Sequence, residues 1–485
     1  MNEHASVLYE SVANDISALI RSGTLGPGER VPSVRRMSRQ RRVSISTVLQ
    51  AYAVLENRGL IEARPQSGYY VRSQAHRVEE PAVSIPPRAP QLVGVHALVS
   101  RVLEGGLQPD IVPFGAAIPS AELVPTAKLQ RIVSAVARRQ PQSLATYSLP
   151  PGHEELRRQI ALRARDWGVS LTADEIIVTH GCIEAVNLCL RAVARPGDVV
   201  ALESPTYFGL LQIIESLGMK ALEVPTHPRN GVSLEALVLA IQREKVKACI
   251  IMPNVSNPLG GTMPEAAKKR LVRMLAGHDI PLIEDGVYSA LHFSATPPFA
   301  AKAYDRKGAV MLCSSFTKTF ATGFRVGWVA PGRYHAQVQM LKFISSVGVS
   351  DLLQLTIAKF LESGGYDRLM RTLRRTYAHQ LELAQHAVLR YFPRETKVTR
   401  PSGGYVLWIE MPAGVDSVAL YEQALKERIG VAPGPMFSAS NRYRNCLRIN
   451  CGIPWSDRTE RALARVGELA HELVPQPARR ETKQG

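Results

Sequence analysis

The first 75 residues carry short apolar stripes separated by polar turns. A helix is predicted over residues 6–23 because apolar side chains recur there every three or four positions: Leu8, Val12, Ile16, Leu19 and Ile20. A turn, a short helix capped by Ser33 and a third helix capped by Ser44 follow, and two β runs flank residues 65–68. This order is that of a winged helix-turn-helix, whose third helix enters the major groove of DNA.

Residues 105–475 show a different pattern, in which short apolar runs alternate with helical periods. Six buried strands are predicted, at 198–203, 219–224, 247–252, 280–285, 309–314 and 326–331. With amphipathic helices between them, these strands predict an α/β sheet covered on both faces. Ligands bind beyond the carboxyl ends of such strands, and Asp285 ends one of them while Lys318 follows another.

The segment between these two regions has no apolar period and is rich in proline. Residues 73–94 contain Pro81, Pro86, Pro87 and Pro90, which predicts an extended, semi-stiff tether. The predicted organisation is therefore a winged helix-turn-helix domain at 1–75, a linker at 76–104, a large domain at 105–475 and a flexible tail at 476–485.

The composition is that of a soluble globular protein. Of 485 residues, 45% are hydrophobic and 21% are charged, and no apolar run is long enough to span a bilayer. The first residues include acidic side chains and no apolar signal core, so we expect a cytoplasmic protein. The six cysteines form no CxxC pair and no zinc-finger spacing, which predicts reduced thiols and no metal site.

The net charge of +17 is unevenly distributed along the chain. Residues 21–77 contain eleven arginines, no lysine and three glutamates, which gives 11 − 3 = +8. Arginine is the side chain best suited to phosphates and guanine edges, so this segment is predicted to bind DNA. The alternative is a winged helix that makes only protein contacts.

One loop in the large domain suggests covalent chemistry. Its sequence, SSFTKTFATGFR at 314–325, brings together Ser315, Lys318 and Arg325. A solvated basic turn is one interpretation, and a lysine that forms a Schiff base with pyridoxal phosphate is the other. The second requires a carboxylate for the pyridine nitrogen, donors for the phenolic oxygen, a packing surface for the ring and an anion site for the phosphate.

The rest of the large domain supplies these groups. In the turn at 179–185, Gly181 leaves the N–H groups of Cys182 and Ile183 free to face an anion at a helix start. Further candidates are Tyr207, Asn257, Asp285 and Tyr288 for the ring, and Arg448 for an α-carboxylate. Each motif alone is weak, because a lone lysine is usually solvated and a lone Asp-Gly-x-Tyr is usually a turn. Together, in this order, they predict a cofactor site.

Residues 6–72 resemble the DNA-binding domain of GntR-type bacterial regulators, through GPGERVPSVRRMS and VSISTVLQAYAVLENRGLIEARPQSGYYV. The resemblance implies that Arg35 contacts DNA from the second helix and that Gly68 lies at the wing tip. It also implies that the recognition helix begins with three hydroxyl residues, Ser44, Ser46 and Thr47. Ile45 stands where the family often has arginine, and Arg41 and Arg42 are placed to compensate for it.

Residues 105–470 resemble the fold-type I, class I/II aminotransferases, specifically the large domain of the MocR subfamily of GntR-like regulators. The resemblance implies an α/β pyridoxal-phosphate-dependent transferase fold with a small α+β C-terminal subdomain. It makes Lys318 the Schiff-base lysine and proton shuttle, and it pairs Asp285 with the pyridinium nitrogen. Asn257 and Tyr288 would bond the phenolate oxygen, and Tyr207 would stack on the ring.

The same resemblance assigns the remaining candidates. The phosphate would be held by Gly181, Cys182, Ile183, Ser315 and Arg325. Arg448 would bind a substrate carboxylate. Tyr147 matches a tyrosine that reaches into the neighbouring subunit's phosphate site, which implies a homodimer.

These patterns predict a transcription regulator that binds pyridoxal phosphate and operator DNA, and whose aminotransferase-like domain senses the cofactor, an amino acid or both. One alternative is an active aminotransferase with an accessory DNA-binding domain. Another is a DNA-associated scaffold with a vestigial site. Steady keto-acid release would favour the enzyme, a specific operator the regulator, and the absence of a lysine-linked chromophore the scaffold.

Overall fold

The computed structural model divides the chain into two units, residues 1–78 and 79–485. It describes residues 3–21, 24–26, 28–57, 60–64, 67–71, 79–106 and 108–474. The predicted tail at 476–485 lies outside the described residues.

The first unit contains three helices and a two-stranded ribbon: α1 (Glu3–Arg21), α2 (Val34–Arg41), α3 (Ile45–Asn57), β1 (Ile61–Arg64) and β2 (Gly68–Val71). Its core includes Val12 and Ile16 of the first predicted stripe, but Leu8 and Leu19 at the stripe's edges are exposed. The hydroxyl of buried Tyr52 on α3 donates to Pro32 O at 2.6 Å, which ties the helix to the preceding turn. The unit is the predicted winged helix-turn-helix.

The second unit is built on a large mixed sheet and a set of surrounding helices. Its helices are α4 (His96–Gly105), α5 (Thr126–Arg139), α6 (Glu154–Ala164), α7 (Gly181–Val193), α8 (Phe208–Ser216), α9 (Leu234–Arg243), α10 (Glu265–Gly277), α11 (His335–Ser346), α12 (Asp351–Glu362), α13 (Gly365–Tyr391), α14 (Ser417–Lys426) and α15 (Asp457–Glu472). Its strands are β3 (Gln91–Leu92), β4 (Val112–Pro113), β5 (Ile177–Thr179), β6 (Val199–Ser204), β7 (Lys220–His227), β8 (Gly231–Val232), β9 (Val246–Ile251), β10 (Leu282–Asp285), β11 (Val310–Ser315), β12 (Gly327–Ala330), β13 (Lys397–Val398), β14 (Val406–Glu410), β15 (Ile429–Gly430), β16 (Ala432–Pro433) and β17 (Cys446–Asn450).

The large sheet has the strand order β3-β7-β6-β9-β10-β11-β12-β5. The central pairs, from β7 to β11, are parallel, whereas β12 is antiparallel to both β11 and β5. The central strands are almost wholly buried, because helices cover both faces. Because β12 is antiparallel to both of its neighbours, β5 runs in the same direction as β11. The carboxyl ends of β5 and β11 therefore lie at the same edge of the sheet.

A smaller antiparallel sheet follows the long helix α13 and has the order β13-β14-β17-β16. Arg448 lies in the middle of β17, opposite Trp408 on β14 and Ala432 on β16. This α+β subdomain and the mixed sheet confirm the fold class predicted from the sequence.

Residues 79–104, which the sequence predicted as part of the linker at 76–104, belong to the second unit. Ser84 Oγ donates to Ser204 O at 2.6 Å and accepts from Thr226 N at 2.8 Å. Glu80 accepts from Arg400 N at 3.1 Å and pairs with Arg229. Polar side chains make these contacts, so an apolar period along the chain does not reveal them.

Two further sequence predictions concern the state of the cysteines and the presence of membrane-spanning helices. All six cysteines are buried and free. Within the described ranges, no helix combines the length and the hydropathy that crossing a membrane requires.

Candidate functional site

Five strands of the large sheet end at the same edge and deliver the candidate cofactor residues to it. The loops after β5, β6, β9, β10 and β11 surround a cavity of about 100 Å³. Eight of the predicted residues line it: Cys182, Ile183, Tyr207, Asn257, Asp285, Tyr288, Lys318 and Arg325. The carboxyl edge of a parallel sheet collects residues that are far apart in sequence, which explains how one cavity draws on positions 182 to 325.

Lys318 enters the cavity from the loop that follows β11. Its Nζ donates to Ala117 O at 2.6 Å. Burial and the nearby charges of Arg448 and Arg325 lower the pKa of Lys318 to about 8, although Asp285 opposes the shift. A sizeable fraction of the amine is therefore neutral near neutral pH, which is the form that attacks an aldehyde.

Asp285 is the last residue of β10 and is 4% exposed. Its Oδ1 accepts from Val287 N at 3.0 Å and from Cys182 Sγ at 3.2 Å, and its Oδ2 accepts no hydrogen bond from the described residues. Burial raises the pKa of Asp285. A carboxylate in this position is stabilised as an anion by a cation inside the cavity, and a protonated ring nitrogen is such a cation.

One end of the cavity lies at the start of α7. Gly181 has φ +81°, and a Cβ there would approach within 2.8 Å of Arg325 Nη2, so glycine permits the contact between the helix start and the guanidinium. The Arg325 guanidinium is exposed and has no acceptor among the described residues. A helix N-terminus beside a free guanidinium is suited to a phosphate.

The Ser315 hydroxyl, which was predicted to hold the phosphate, makes its hydrogen bonds with Thr317 and Val326. Its Oγ donates to Val326 O at 2.9 Å, with Thr317 Oγ1 at the same distance, and it accepts from Thr317 N at 3.1 Å. Thr317, and not Ser315, lines the cavity. Thr317 was not predicted, although its position directly before Lys318 was the available signal.

Three further cavity-lining residues, Tyr207, Asn257 and Tyr288, differ in their packing and hydrogen bonding. The hydroxyl of Tyr288 is buried and meets none of the described residues in hydrogen-bond geometry. The Tyr207 ring lies over Gly209, where a Cβ would be 2.5 Å from Tyr207 Cε1. Asn257 Oδ1 accepts from Arg448 Nη1 at 3.4 Å, which connects the small sheet to the cavity.

Arg448 is fully buried between the two sheets. Its Nη2 donates to Gly115 O, and its Nε has no acceptor in the described part of the chain. Burial lowers the pKa of Arg448, and no carboxylate of the described residues forms an ion pair with it. A carboxylate ligand would supply the balancing negative charge.

Glu203 is a buried acid near the cavity that the sequence analysis missed. It ends strand β6 with Ser204, and its Oε2 accepts from Met252 N at 2.8 Å while its Oε1 has no partner among the described residues. Burial raises the pKa of Glu203 to about 8. Met252 and Val287, which are cavity-lining neighbours, were also missed because apolar residues in buried runs carry no chemical signal.

Tyr147 does not join the other candidates within the chain. It is 84% exposed, and Leu144 and Leu149 beside it are 63% and 52% exposed. The structure therefore leaves this residue on the surface of the second unit.

The candidate DNA-binding residues lie on the first unit. Arg35 on α2 is exposed, and Arg41 forms an ion pair with Asp15 at 2.9 Å. Arg42 has φ 52°, and its N–H donates to Ser38 O at the end of α2. Gly68, with φ +109°, begins β2 opposite Arg64.

The start of α3 presents both polar and apolar side chains. Ser44 Oγ accepts from Thr47 N at 3.1 Å, which is an N-cap, and it also bonds the hydroxyls of Ser46 at 2.8 Å and Thr47 at 2.7 Å. Ile45 and Leu49, one helical turn apart, are 50% and 45% exposed. This exposed apolar pair suits contacts with thymine methyl groups.

The cavity residues fit pyridoxal phosphate in charge and in hydrogen-bonding capacity. When bound, this cofactor supplies an aldehyde for the lysine and an electron-withdrawing ring. The chain supplies an amine whose pKa is lowered to about 8 (Lys318), a buried carboxyl group (Asp285), an exposed guanidinium (Arg325) and a buried guanidinium (Arg448). These groups are suited to a ligand that carries a carboxylate and to the movement of a proton at Lys318 Nζ.

Each of the two units matches a known protein family. Residues 8–71 match the bacterial regulatory proteins of the gntR family, and residues 112–466 match aminotransferase class I and II. Over 467 residues the chain is 41% identical to the HTH-type transcriptional regulator YjiR of Escherichia coli (strain K12), covering 96% of this chain and 99% of that protein. It is 29% identical over 380 residues to the 2-aminoadipate transaminase of Thermus thermophilus, covering 78% and 94%.

The second unit also resembles solved aminotransferases. The α-aminoadipate aminotransferase LysN of Thermus thermophilus, complexed with N-(5'-phosphopyridoxyl)-L-leucine, superposes with a TM-score of 0.71 at 27% identity, over 77% of this chain and 94% of that one. The kynurenine aminotransferase of Pyrococcus horikoshii gives 0.72 at 26% identity, over 79% and 95%. Aminotransferases of this fold depend on pyridoxal phosphate. Because a gntR helix-turn-helix domain and a class I/II aminotransferase domain share one chain that matches an HTH-type regulator along its length, the protein belongs to the MocR-type transcription regulators.

Proposed function

We propose that this regulator holds pyridoxal phosphate through Lys318 and binds operator DNA through the first unit. An amino acid whose carboxylate pairs with Arg448 is the proposed effector. The observation that carries the proposal is the convergence of Lys318, Asp285 and Arg325 on one cavity that has unused hydrogen-bonding capacity. A structural role would leave these groups paired with one another.

The DNA-binding part of the proposal rests on charge and exposure. The gntR domain implies DNA binding. Arg35 and Arg36 are exposed on α2, the helix that precedes α3 in the chain. Exposed guanidinium groups suit phosphate contacts, while Ile45 and the hydroxyl residues at the start of α3 suit base edges.

We also propose that the protein is a homodimer in which Tyr147 of the partner subunit completes the phosphate site. Ile183 and Arg325, at the phosphate end of the cavity, are exposed in the single chain. Tyr147 is itself exposed beside two exposed leucines, so a subunit contact there would bury apolar surface and close the cavity.

The test begins with purified full-length protein and pyridoxal phosphate. Visible absorbance, followed by borohydride reduction and peptide mass spectrometry, should locate the modified residue at Lys318. Chromatin immunoprecipitation with and without the cofactor should identify operator sites and show whether the cofactor changes their occupancy. A modification at another lysine, or DNA occupancy without sequence preference, would contradict the proposal.

The same preparation separates regulation from catalysis. If an amino acid is added, a regulator should change its operator affinity in a manner that saturates with the amino acid. Steady release of keto acid over many turnovers, with no change in operator affinity, would instead favour the aminotransferase.

A further inference from the structure

A second cavity, of about 250 Å³, lies in the same unit and shares no lining residue with the cofactor cavity. We call it the aromatic-basic cavity. Its apolar wall includes four aromatic side chains: Trp167, Phe316, Trp328 and Tyr366. Three arginines and two aspartates also line it: Arg163, Arg371, Arg374, Asp166 and Asp367. No predicted role accounts for this combination.

The aromatic wall is preorganised. The Trp167 and Trp328 rings are stacked, with centroids 6.1 Å apart and an interplanar angle of 9°. Trp328, Phe316 and Tyr366 are at most 8% exposed, so packing in the core holds them in place. An apolar cavity of roughly 150 Å³ accommodates a benzene ring, and this cavity has room for a ring with a short side chain.

The charged residues that line the aromatic-basic cavity indicate which charge its ligand carries. Arg163 is paired with Asp367 at 2.7 Å, so these two groups balance. Arg371 and Arg374 have no carboxylate within ion-pair distance among the described residues, and Asp166 is the remaining acid on the rim. Two positive charges and one negative charge leave a net charge of +1, which favours a monoanion.

The position of the aromatic-basic cavity connects it to the cofactor loops. Phe316 lies two residues before Lys318, and Ala290, another lining residue, lies two residues after Tyr288. Arg374 Nε donates to Ala290 O at 2.9 Å, so a ligand that engages Arg374 is linked through this arginine to the Tyr288 loop. A ligand here would contact the reverse side of the two loops that line the cofactor cavity.

We propose that the aromatic-basic cavity binds a small aromatic monocarboxylate, with its ring against the tryptophans and its carboxylate between Arg371 and Arg374. Binding itself does not depend on the cofactor. A second clause, which rests on the proposed function, is that occupancy changes the environment of Lys318 and hence the visible absorbance of the loaded protein.

The test uses 3-phenylpropanoate on full-length protein, with 3-phenylpropylamine and 3-phenylpropanol as cationic and neutral probes of similar size. Two of the four tryptophans line the cavity, so tryptophan fluorescence reports occupancy, and calorimetry gives the affinity. We expect the carboxylate to bind at least about tenfold more tightly than either matched probe, as hydrogen bonds to a charged group allow. Equal binding of the three probes, or no binding of the carboxylate, would overturn the proposal.

Three variants locate the site. Arg371→Met removes an exposed guanidinium that forms no hydrogen bond or ion pair with the described residues, so the fold should persist while affinity falls about tenfold. Arg375→Met removes an exposed guanidinium from the same helix outside the cavity, and affinity should not change. Arg448→Gln should leave affinity unchanged. Loss of binding in Arg448→Gln with retention in Arg371→Met would place the ligand in the cofactor cavity and refute the second site.

Each clause has its own readout. If the protein holds no cofactor, the fluorescence and calorimetric results still decide whether the second site exists. If the carboxylate binds but the visible absorbance of loaded protein does not shift, the coupling clause fails while the binding clause stands.

Discussion

The cofactor cavity and the DNA-binding surface place their charged groups in opposite environments. Asp285 is 4% exposed and Arg448 is fully buried, whereas Arg35 and Arg36 lie exposed on α2. A buried charge depends on a few partners because water screens it poorly. An exposed contact with DNA adds a small, salt-screened share to a larger sum. Single substitutions should therefore abolish a function in the cavity but only weaken one on the surface.

The sharpest test of this contrast is Lys318→Ala. The covalent attachment of pyridoxal phosphate should disappear, because none of the other cavity-lining side chains is a lysine. Absorbance spectra before and after desalting measure the loss. Lys318→Arg is the matched variant, since it keeps a positive charge but its guanidinium cannot form the same linkage. Retention of the visible band by either variant would show that another lysine carries the cofactor.

The second prediction concerns the pH dependence of cofactor loading. The pKa of Lys318 is lowered to about 8, so the fraction of neutral amine rises with pH until the pH passes about 8 and then levels off. The loading rate of cofactor-free protein should rise about tenfold per pH unit below pH 7 and level off above about pH 8. Stopped-flow absorbance measures the rate.

The reaction of pyridoxal phosphate with a free amine corrects for titration of the cofactor itself. The rate with Nα-acetyl-lysine, measured at the same pH values, shows how the aldehyde reacts with an ordinary lysine amine. If the protein follows the Nα-acetyl-lysine profile up to pH 10, the Lys318 amine is not perturbed by its surroundings.

Arg448→Gln tests the effector part of the cavity. Removing the guanidinium deletes charge-assisted hydrogen bonds to a carboxylate, so amino-acid affinity should fall about 10- to 100-fold while cofactor loading persists. Titration of the loaded protein with an amino acid, followed by absorbance, gives the affinity. The corresponding amine without a carboxylate is the control, and its affinity should not change. Equal losses for both ligands would mean that the substitution disturbs the fold.

The two regions also differ in how much of each could be predicted from the sequence. Strand ends and the spacing of Lys318, Asp285 and Asn257 revealed most of the cavity, because polar residues at the ends of apolar runs stand out. Thr317 and Glu203 were missed, since a hydroxyl or an acid beside a stronger candidate has no separate signal. The contact between Ser315 and Val326 O depends on a pairing across the loop that spacing does not reveal.

In the first unit the elements were predictable but the pairing of charges was not. The helical order and the Ser44 cap follow from local sequence. The ion pair between Arg41 and Asp15 depends on how α1 packs, so the sequence could not show that Arg41 already has a partner. The polar contacts of Ser84 and Glu80 were hidden for the same reason, because residues far apart in the chain make them.

The smallest effect is expected from Arg35→Ala, the counterpart on the surface. If Arg35 contacts a phosphate, the affinity for operator and for unrelated DNA should fall by a similar factor of about ten, and the slope of log affinity against log salt should decrease by about one. Fluorescence anisotropy over a series of salt concentrations measures both. Arg138→Ala, which removes an exposed arginine from α5 of the second unit, produces the same change in net charge and should leave both quantities unchanged. A loss confined to the operator would instead make Arg35 a base-reading residue, and equal losses in the two variants would show that net charge alone, and not the reading surface, governs the affinity.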